Sequence, residues 1–162
     1  MTGYFAHAPR ALSPDDHVPA RVLLMGALGV TPYIDRAMEV LQRAERGAGR
    51  DDEHRAVVIA RDGTVAALAL FGSVAGAVGV RKLHAAVLAP SVSAADVGQR
   101  IVRAVIDEAR FEGARLVVAE IPDDPAMGQV RALLASEGFE EEARVPDFYR
   151  DGVALTLLRR EL

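Results

Sequence analysis

The chain of 162 residues has no cysteine and no tryptophan. With no cysteine there is no disulfide, no thiolate metal site and no cysteine nucleophile, and an intracellular compartment is the default. A basic excess is also missing. The formal net charge is −4, with both signs scattered along the chain, which argues against a nucleic-acid footprint. The apolar runs are far too short to span a bilayer, and the start "MTGYFAHAPR" has no signal-type apolar centre. The expectation is a soluble cytoplasmic protein with neither nucleic acid nor membrane as partner. No Walker loop, serine elbow or His-x-x-x-His spacing occurs. The "DD" pairs at 15–16, 51–52 and 123–124 fall at helix starts or loops, where capping and solubility explain them better than a metal does. "EEE" at 140–142 reads as a solvated strand edge that discourages edge pairing. No metal is expected.

What is present is aliphatic: half of the chain is hydrophobic while aromatics supply only 5%, a balance that suits a packed α/β protein. The length fits one domain, 1–162, with room for a substantial core. Residues 5–10 read as a short first strand. "SPDD" at 13–16 opens a helix, with Ser13 as N-cap and Pro14 at the first helical position, and Gly29 ends it. A second helix follows from about Thr31 to Arg46, with Ile34, Ala37, Met38 and Leu41 at helical spacing. "RGAGRDDE" at 46–53 is a polar loop.

The periodicity then changes. Arg55–Ala60 and Val65–Phe71 read as strands around "RDGT", the Asp-Gly signal of a tight hairpin. "GSVAGAVG" at 72–79 is a glycine-rich loop, and Leu83–Leu88 a continuously apolar strand. A helix from Val97 carries Ile101, Ala104, Val105 and Ala109 on one face and stops at Gly113. Arg115–Ile121 is an apolar strand, Pro125–Ser136 a shorter helix. Phe139–Val145 and Val153–Arg160 form a last strand pair joined by "PDFYRDG". The order β-α-α-β-β-β-α-β-α-β-β predicts an α/β (α+β) fold. Its mixed, mostly antiparallel sheet has about six to seven strands, helices on both faces and one parallel right-handed β-α-β crossover from 83 to 121.

The stretch "SVSAADVGQR" at 91–100 lies between that strand and that helix, where an anion is cradled by helix N–H groups. It holds one glycine, Gly98, and an aspartate, Asp96. Ser93 and Asp96 have capping-box spacing, so the loop has two readings. Either Ser93 caps the helix and Asp96 fills part of the cradle, or Asp96 is itself the N-cap and the N–H groups after it stay open.

In this element order, and in its closing segment "LLASEGFEEEARVPDFYRDGVALTLLRREL", the chain resembles the GNAT superfamily of acyl-CoA-dependent N-acyltransferases over nearly its whole length. The family's cofactor loop reads Arg/Gln-x-x-Gly-x-Gly/Ala. With Pro90 set on the proline that follows the strand, Ser93 takes the Arg/Gln place, Asp96 the first glycine and Gly98 the second, so the spacing is kept and two of three marker residues are replaced. The resemblance implies acetyl-CoA as cosubstrate, with main-chain groups at Leu88 holding the pantetheine arm. It also implies that Val97, Gly98, Gln99 and Arg100 present N–H groups to the pyrophosphate. The Arg100 side chain is then either a further phosphate partner or a solvated helix residue.

The implied activity is acetyl transfer from acetyl-CoA to a primary amine of a small molecule or protein. The acidic balance leans toward a cationic acceptor. The family's usual acid, a tyrosine four residues before the glycine of the "GF" corner, is Leu134 here. Tyr149 is the substitute acid, in a segment that the fold brings near the acyl site, unless it and Phe148 simply cap the core. For the base there are Glu120, expected to be partly buried at the end of its strand, and His84, which alternation puts on one face with Ala86 and Leu88. Either is also readable as a structural residue. The other functional reading is a non-catalytic module that binds acyl-CoA or a partner protein. Dimers are common among proteins of this type, which leaves a homodimer open.

Overall fold

Asp62 and Gly63 adopt φ of +49° and +75°, the backbone of a two-residue hairpin turn, and Arg61 pairs with Thr64 across it. The turn fixes the register of β2 (Arg55–Arg61) against β3 (Thr64–Ser73). Alternation then sorts the side chains: Val57, Ile59, Ala67, Ala69 and Phe71 face one layer, and Ala56, Val58, Leu68 and Leu70 the other. Both layers are apolar, so this strand pair is covered on both sides.

The computed structural model describes residues 7–47 and 52–162. In it a seven-stranded sheet runs in the order β1-β2-β3-β4-β5-β7-β6, where β1 is Arg10–Ala11, β4 Val80–Leu88, β5 Leu116–Pro122, β6 Glu140–Arg150 and β7 Val153–Glu161. Neighbouring strands are antiparallel except β4 and β5, which are parallel and joined through α3 (Gln99–Phe111). Helices α1 (His17–Leu28) and α2 (Ile34–Arg46) cover one face, with Leu23, Leu24, Val40 and Leu41 buried against β2 and β3. Helices α3 and α4 (Gly128–Ser136) cover the other, where Ile101, Val105, Ile106 and Leu134 pack on Phe71, Val117 and Ala119. The expected mixed sheet with helices on both faces is the architecture observed.

The boundaries moved where side chains rather than propensity decide them. Part of the strand expected at 5–10 lies outside the described residues, as does half of the loop expected at 46–53, including Asp51; the strand observed is Arg10–Ala11, paired with Val57 and Val58. Helix α2 starts at Ile34, since Thr31 turns back to bond the Leu28 carbonyl at 2.7 Å. Strand β3 runs through Gly72, because Glu53 lies across it: a Cβ at residue 72 would sit 2.1 Å from the Glu53 carbonyl oxygen. "PDFYRDG" is mostly strand and not loop. β6 extends through Arg150, its pairing with β7 irregular between Val145 and Arg150, and only Asp151–Gly152 turn. The Asp147 carboxylate accepts the Gly152 N–H at 2.7 Å and holds that turn.

The first helical segment starts where expected, with Ser13 at the N-cap and Pro14 next, and Ser13 is bonded to the Asp16 side chain. The Asp16 carboxylate accepts from the Ser13 N–H (2.8 Å) and hydroxyl (2.9 Å), and from Arg10 in two bonds. Those bonds, Arg10 first, hold the Asp16 carboxyl down to about 2.

Candidate active site

Strand β4 is one residue longer than the stretch of β3 opposite it. Leu83 pairs with Phe71 and Ala85 with Leu70, so His84 is the extra residue of a β-bulge. Parity changes there. Leu83, Ala86 and Leu88 pack toward α3, whereas Ala85, Val87 and Ala89 pack toward α1 and α2. Just past the same point β4 and β5 part company. Their parallel pairing ends at Leu83 with Ala119, although β4 continues to Leu88 and β5 to Pro122. The sheet opens into a wedge whose inner wall is the main chain of residues 84–88.

Two adjoining cavities occupy this wedge. One, of about 370 Å³, is walled by Leu28, Tyr33, Arg36 and Val40 on the helical side. Lys82 and His84 contribute from β4, Glu120 from β5, Met127 and Val130 from the α4 region and Tyr149 from β6. The other, of about 380 Å³, runs past Leu88, Pro90 and Val92 to Ala126, Gln129 and Leu133. They share Leu28, Ala86, Val87, Met127 and Val130, and so form one continuous groove. The three catalytic candidates, 84, 120 and 149, therefore meet in one cavity, and Leu88 lies in the next.

Their surroundings differ from the expectation in two cases. Glu120 is exposed, not partly buried, and accepts from Lys82 Nζ at 2.9 Å. Strand alternation at a sheet edge that has opened leaves its carboxylate in the cleft mouth. His84 does not share a face with Ala86 and Leu88, because the bulge takes it out of alternation. Its ring stacks on His54, centroids 5.9 Å apart, and its Nε2 lies 3.2 Å from the Glu53 carbonyl. A carbonyl only accepts, so the partner assigns the proton to Nε2 and leaves the Nδ1 lone pair unprotonated. Burial, with the Lys82 charge adding, pushes His84 down to about 4 against the opposing Glu53 bond. It is neutral at physiological pH.

That shift has a sign that can be measured. A histidine depressed from 6.5 to about 4 binds its proton more readily in the unfolded chain. Its contribution to stability is complete above pH ~6.5 and is lost as pH falls toward ~4. Thermal melts of His84→Gln across this window are expected to show a shallower loss of stability than the parent. Parallel curves would show that His84 is not held neutral.

Tyr149 is 37% exposed. Its ring meets Tyr33 edge-on at 5.7 Å and Phe148 edge-on at 5.1 Å. Burial first, then the Glu120 charge and Tyr33, raise its hydroxyl above the usual tyrosine value. Around it sit Asp124, read from the sequence only as a cap, and Tyr33 and Arg150, which the sequence did not single out. The Tyr33 hydroxyl donates to Asp124 Oδ2 at 2.7 Å and accepts from Arg150 at 3.1 Å, and Arg150 also donates to Asp124 Oδ2 at 2.7 Å. Asp124 additionally caps the Ala126 N–H at 2.9 Å, as the capping reading expected. The Ala126 bond, then those from Tyr33 and Arg150, bring the Asp124 carboxyl down to about 2. This triad links the α1–α2 turn, the segment after β5, and β6. These three residues are 91 and 26 positions apart in sequence, so no spacing signal connects them.

The 91–100 loop takes neither of its two expected forms. Ser93 is extended (φ −79°, ψ 128°) but its side chain makes no cap bond, and Asp96 lies inside a π-helical turn, Ala94–Gly98, ahead of α3. The Ser93 carbonyl receives the N–H groups of Asp96 (3.3 Å) and Gly98 (3.2 Å), and the Gln99 N–H turns to Ala94 and Asp96 carbonyls. The expectation that Gly98 and Gln99 present free N–H groups is thus corrected: the wide turn uses them internally. Gly98 is buried, where a Cβ would come within 3.0 Å of Leu88 Cδ1 and 3.2 Å of Leu133 Cδ2. The absence of a side chain there lets α3 close on β4. Val97 is buried in the α3 layer. Arg100 donates to the His7 carbonyl at 2.6 Å, so it is not simply solvated. None of Ser93, Asp96, Val97, Gly98, Gln99 and Arg100 lines either cavity. Leu134, in the place of the usual acid, is 0% exposed and belongs to the α3–α4 core.

No family model matches the chain, and no curated protein matches it by sequence. Solved structures do match. A GNAT-family protein from Desulfovibrio desulfuricans superposes with a TM-score of 0.83 at 24% identity, over 96% of this chain and 99% of that one. A Salmonella typhimurium protein solved with its cofactor acetyl-CoA gives 0.74 at 22% identity, over 97% and 94%. The ribosomal-protein-alanine N-acetyltransferase from Brucella melitensis gives 0.72 at 20%, over 95% and 99%. The fold is that of the GNAT superfamily of N-acetyltransferases.

Proposed function

We propose that the protein is an acyl-CoA-dependent N-acetyltransferase acting on a primary amine. The observation that carries this reading is the convergence of His84, Glu120 and Tyr149 on one cavity at the wedge between β4 and β5. Along the groove that it forms with the adjoining cavity, main-chain groups of residues 84–88, with Leu88 at the outer end, line the slot for a pantetheine arm. Bound acetyl-CoA supplies the thioester carbonyl that the amine attacks. The phosphate half has less to rest on, since Gly98 and Gln99 have spent their N–H groups in the helical turn. Arg100 and the loop 93–97 remain as its neighbours.

The residues divide the proton work. Glu120, at the cleft mouth, takes the proton of the incoming ammonium and Lys82 holds its carboxylate in place. His84, depressed to about 4, is a weak base; with its ring fixed by Glu53 and His54 it orients the amine through its Nδ1 lone pair. As the N–C bond forms and the C–S bond breaks, Tyr149 protonates the departing sulfur while the nitrogen gives up its second proton. That proton restores the Tyr149 hydroxyl, and Glu120 releases the first to solvent. Its hydroxyl, raised by burial, still carries its proton far above neutral pH. No step asks for a metal.

The test is free-thiol release from acetyl-CoA with a panel of amines, alongside calorimetry with CoA. Turnover of an amine is the expected result. CoA binding with no turnover on any amine would favour the non-catalytic acyl-CoA-binding module, which the buried Leu134 makes the second reading. Calorimetry also checks the loop. Removing one negative charge near a phosphate contributes about 1 kcal/mol in water-like surroundings, so Asp96→Asn is expected to tighten CoA about fivefold. Unchanged affinity would move the pyrophosphate away from this loop.

A further inference from the structure

Resting on that reading, we infer that the acceptor is a small amine with an apolar body, enclosed in the cleft, and not the N-terminus of a protein. Three observations lead there. The first is the Tyr33–Asp124–Arg150 triad. Tyr33 belongs to the α1–α2 turn and Arg150 to β6, and both segments wall the acceptor end of the cavity. Their three hydrogen bonds tie those walls together at 2.7–3.1 Å. A polypeptide acceptor must run out of the site after its first residue. Between the α1–α2 turn and β6 that exit is bridged.

The second observation is the wall chemistry. Away from the polar side that carries Arg36, Lys82, His84, Glu120 and the two tyrosines, the cavity wall is Leu28, Val40, Met127 and Val130. A peptide backbone brings an N–H and a carbonyl per residue, each needing a partner when desolvated, and these side chains provide none. A hydrocarbon or aryl body needs no partner and gains from leaving water. The third is charge. Asp124, the other carboxylate at this end, is already bonded to Tyr33, Arg150 and the Ala126 N–H. Glu120, with Lys82 as its one charged partner among the described residues, is the carboxylate that lines the cavity and that an ammonium group meets. Its place beside the wedge sets the amine at the thioester with the body against the apolar wall. A cavity of about 370 Å³ is of the size that takes a small ligand.

The experiment compares phenethylamine with an alanine-led hexapeptide as acceptors for the full chain, following thiol release from acetyl-CoA. The expected kcat/KM for phenethylamine is on the order of 100-fold the greater. Arg150→Ala, with Arg150→Gln as the milder variant, opens two of the three bonds of the triad. In a folded variant the hexapeptide-to-phenethylamine ratio is expected to rise, whereas mere loss of structure lowers both rates alike. Comparable turnover of the two acceptors by the intact protein overturns the inference while leaving acetyl transfer standing. So does a ratio that neither variant moves. Turnover of no amine at all overturns both the inference and the reading beneath it, which separates the two failures.

Discussion

Tyr149→Phe is expected to lower kcat on the order of 10²–10⁴-fold while leaving the KM for acetyl-CoA nearly unchanged. The hydroxyl acts only when the C–S bond breaks, so its loss raises the barrier of the chemical step and not the cost of binding. The ring contacts with Tyr33 and Phe148 survive the change, which keeps the cleft in shape. A second signature follows from the raised hydroxyl. The parent loses kcat at high pH as Tyr149 gives up its proton, and the variant lacks that limb. Full activity in the variant would return Tyr149 to the role of a core cap and remove the acid from the proposed mechanism.

The largest effect on stability is expected at Phe71. It is 1% exposed, sits in the α3-side layer, and carries the Arg55 guanidinium over its ring at 4.9 Å from the centroid. Arg55 in turn pairs with Glu108 and with Glu112, the latter at 2.5 Å, so the ring lies beneath the contacts that bind β2 to α3. Phe71→Ala leaves a void between helix and sheet and is expected to cost about 3–5 kcal/mol in chemical denaturation. For a domain of this length each kcal/mol lowers the melting temperature by roughly 2–4 °C. Phe71→Leu, which keeps most of the volume, is expected to cost less than about 1.5 kcal/mol. Equal losses in the two variants would mean that the cation over the ring, and not packing, carries the residue's contribution.

The fold was legible wherever a local signal and a burial pattern agreed. The Asp-Gly pair at 62–63, the helix start at Ser13-Pro14 and the stop at Gly113 each combine a backbone requirement with an apolar period beside it. Legibility failed where distant residues set the conformation. Gly72 reads as a loop glycine, yet it is a strand residue kept bare by the Glu53 carbonyl. His84 follows strict alternation in the sequence, and nothing local announces that β4 carries an extra residue there. The loop at 91–100 offered a capping box, and backbone bonds to the Ser93 carbonyl took its place. In the candidate site, the strand residues 84, 88 and 120 were readable from position along a strand. Tyr33, Lys82 and Arg150 were not, since their partners lie 26 to 117 residues away.

The bulge at His84 has a consequence for any change in chain length. It is a dislocation in an otherwise regular lattice of strands, and everything beyond it is indexed one place out of step with β3. Deleting a single residue between 84 and 88 would heal the defect and preserve the pairing of the sheet. Each residue beyond it would keep its β3 partner and so its face, but the local bend that a bulge gives the strand would be lost. The opening beside β5 is thus encoded by a count and not by any one side chain. Substitutions along this stretch vary the lining of the cleft, while a lost residue removes its geometry.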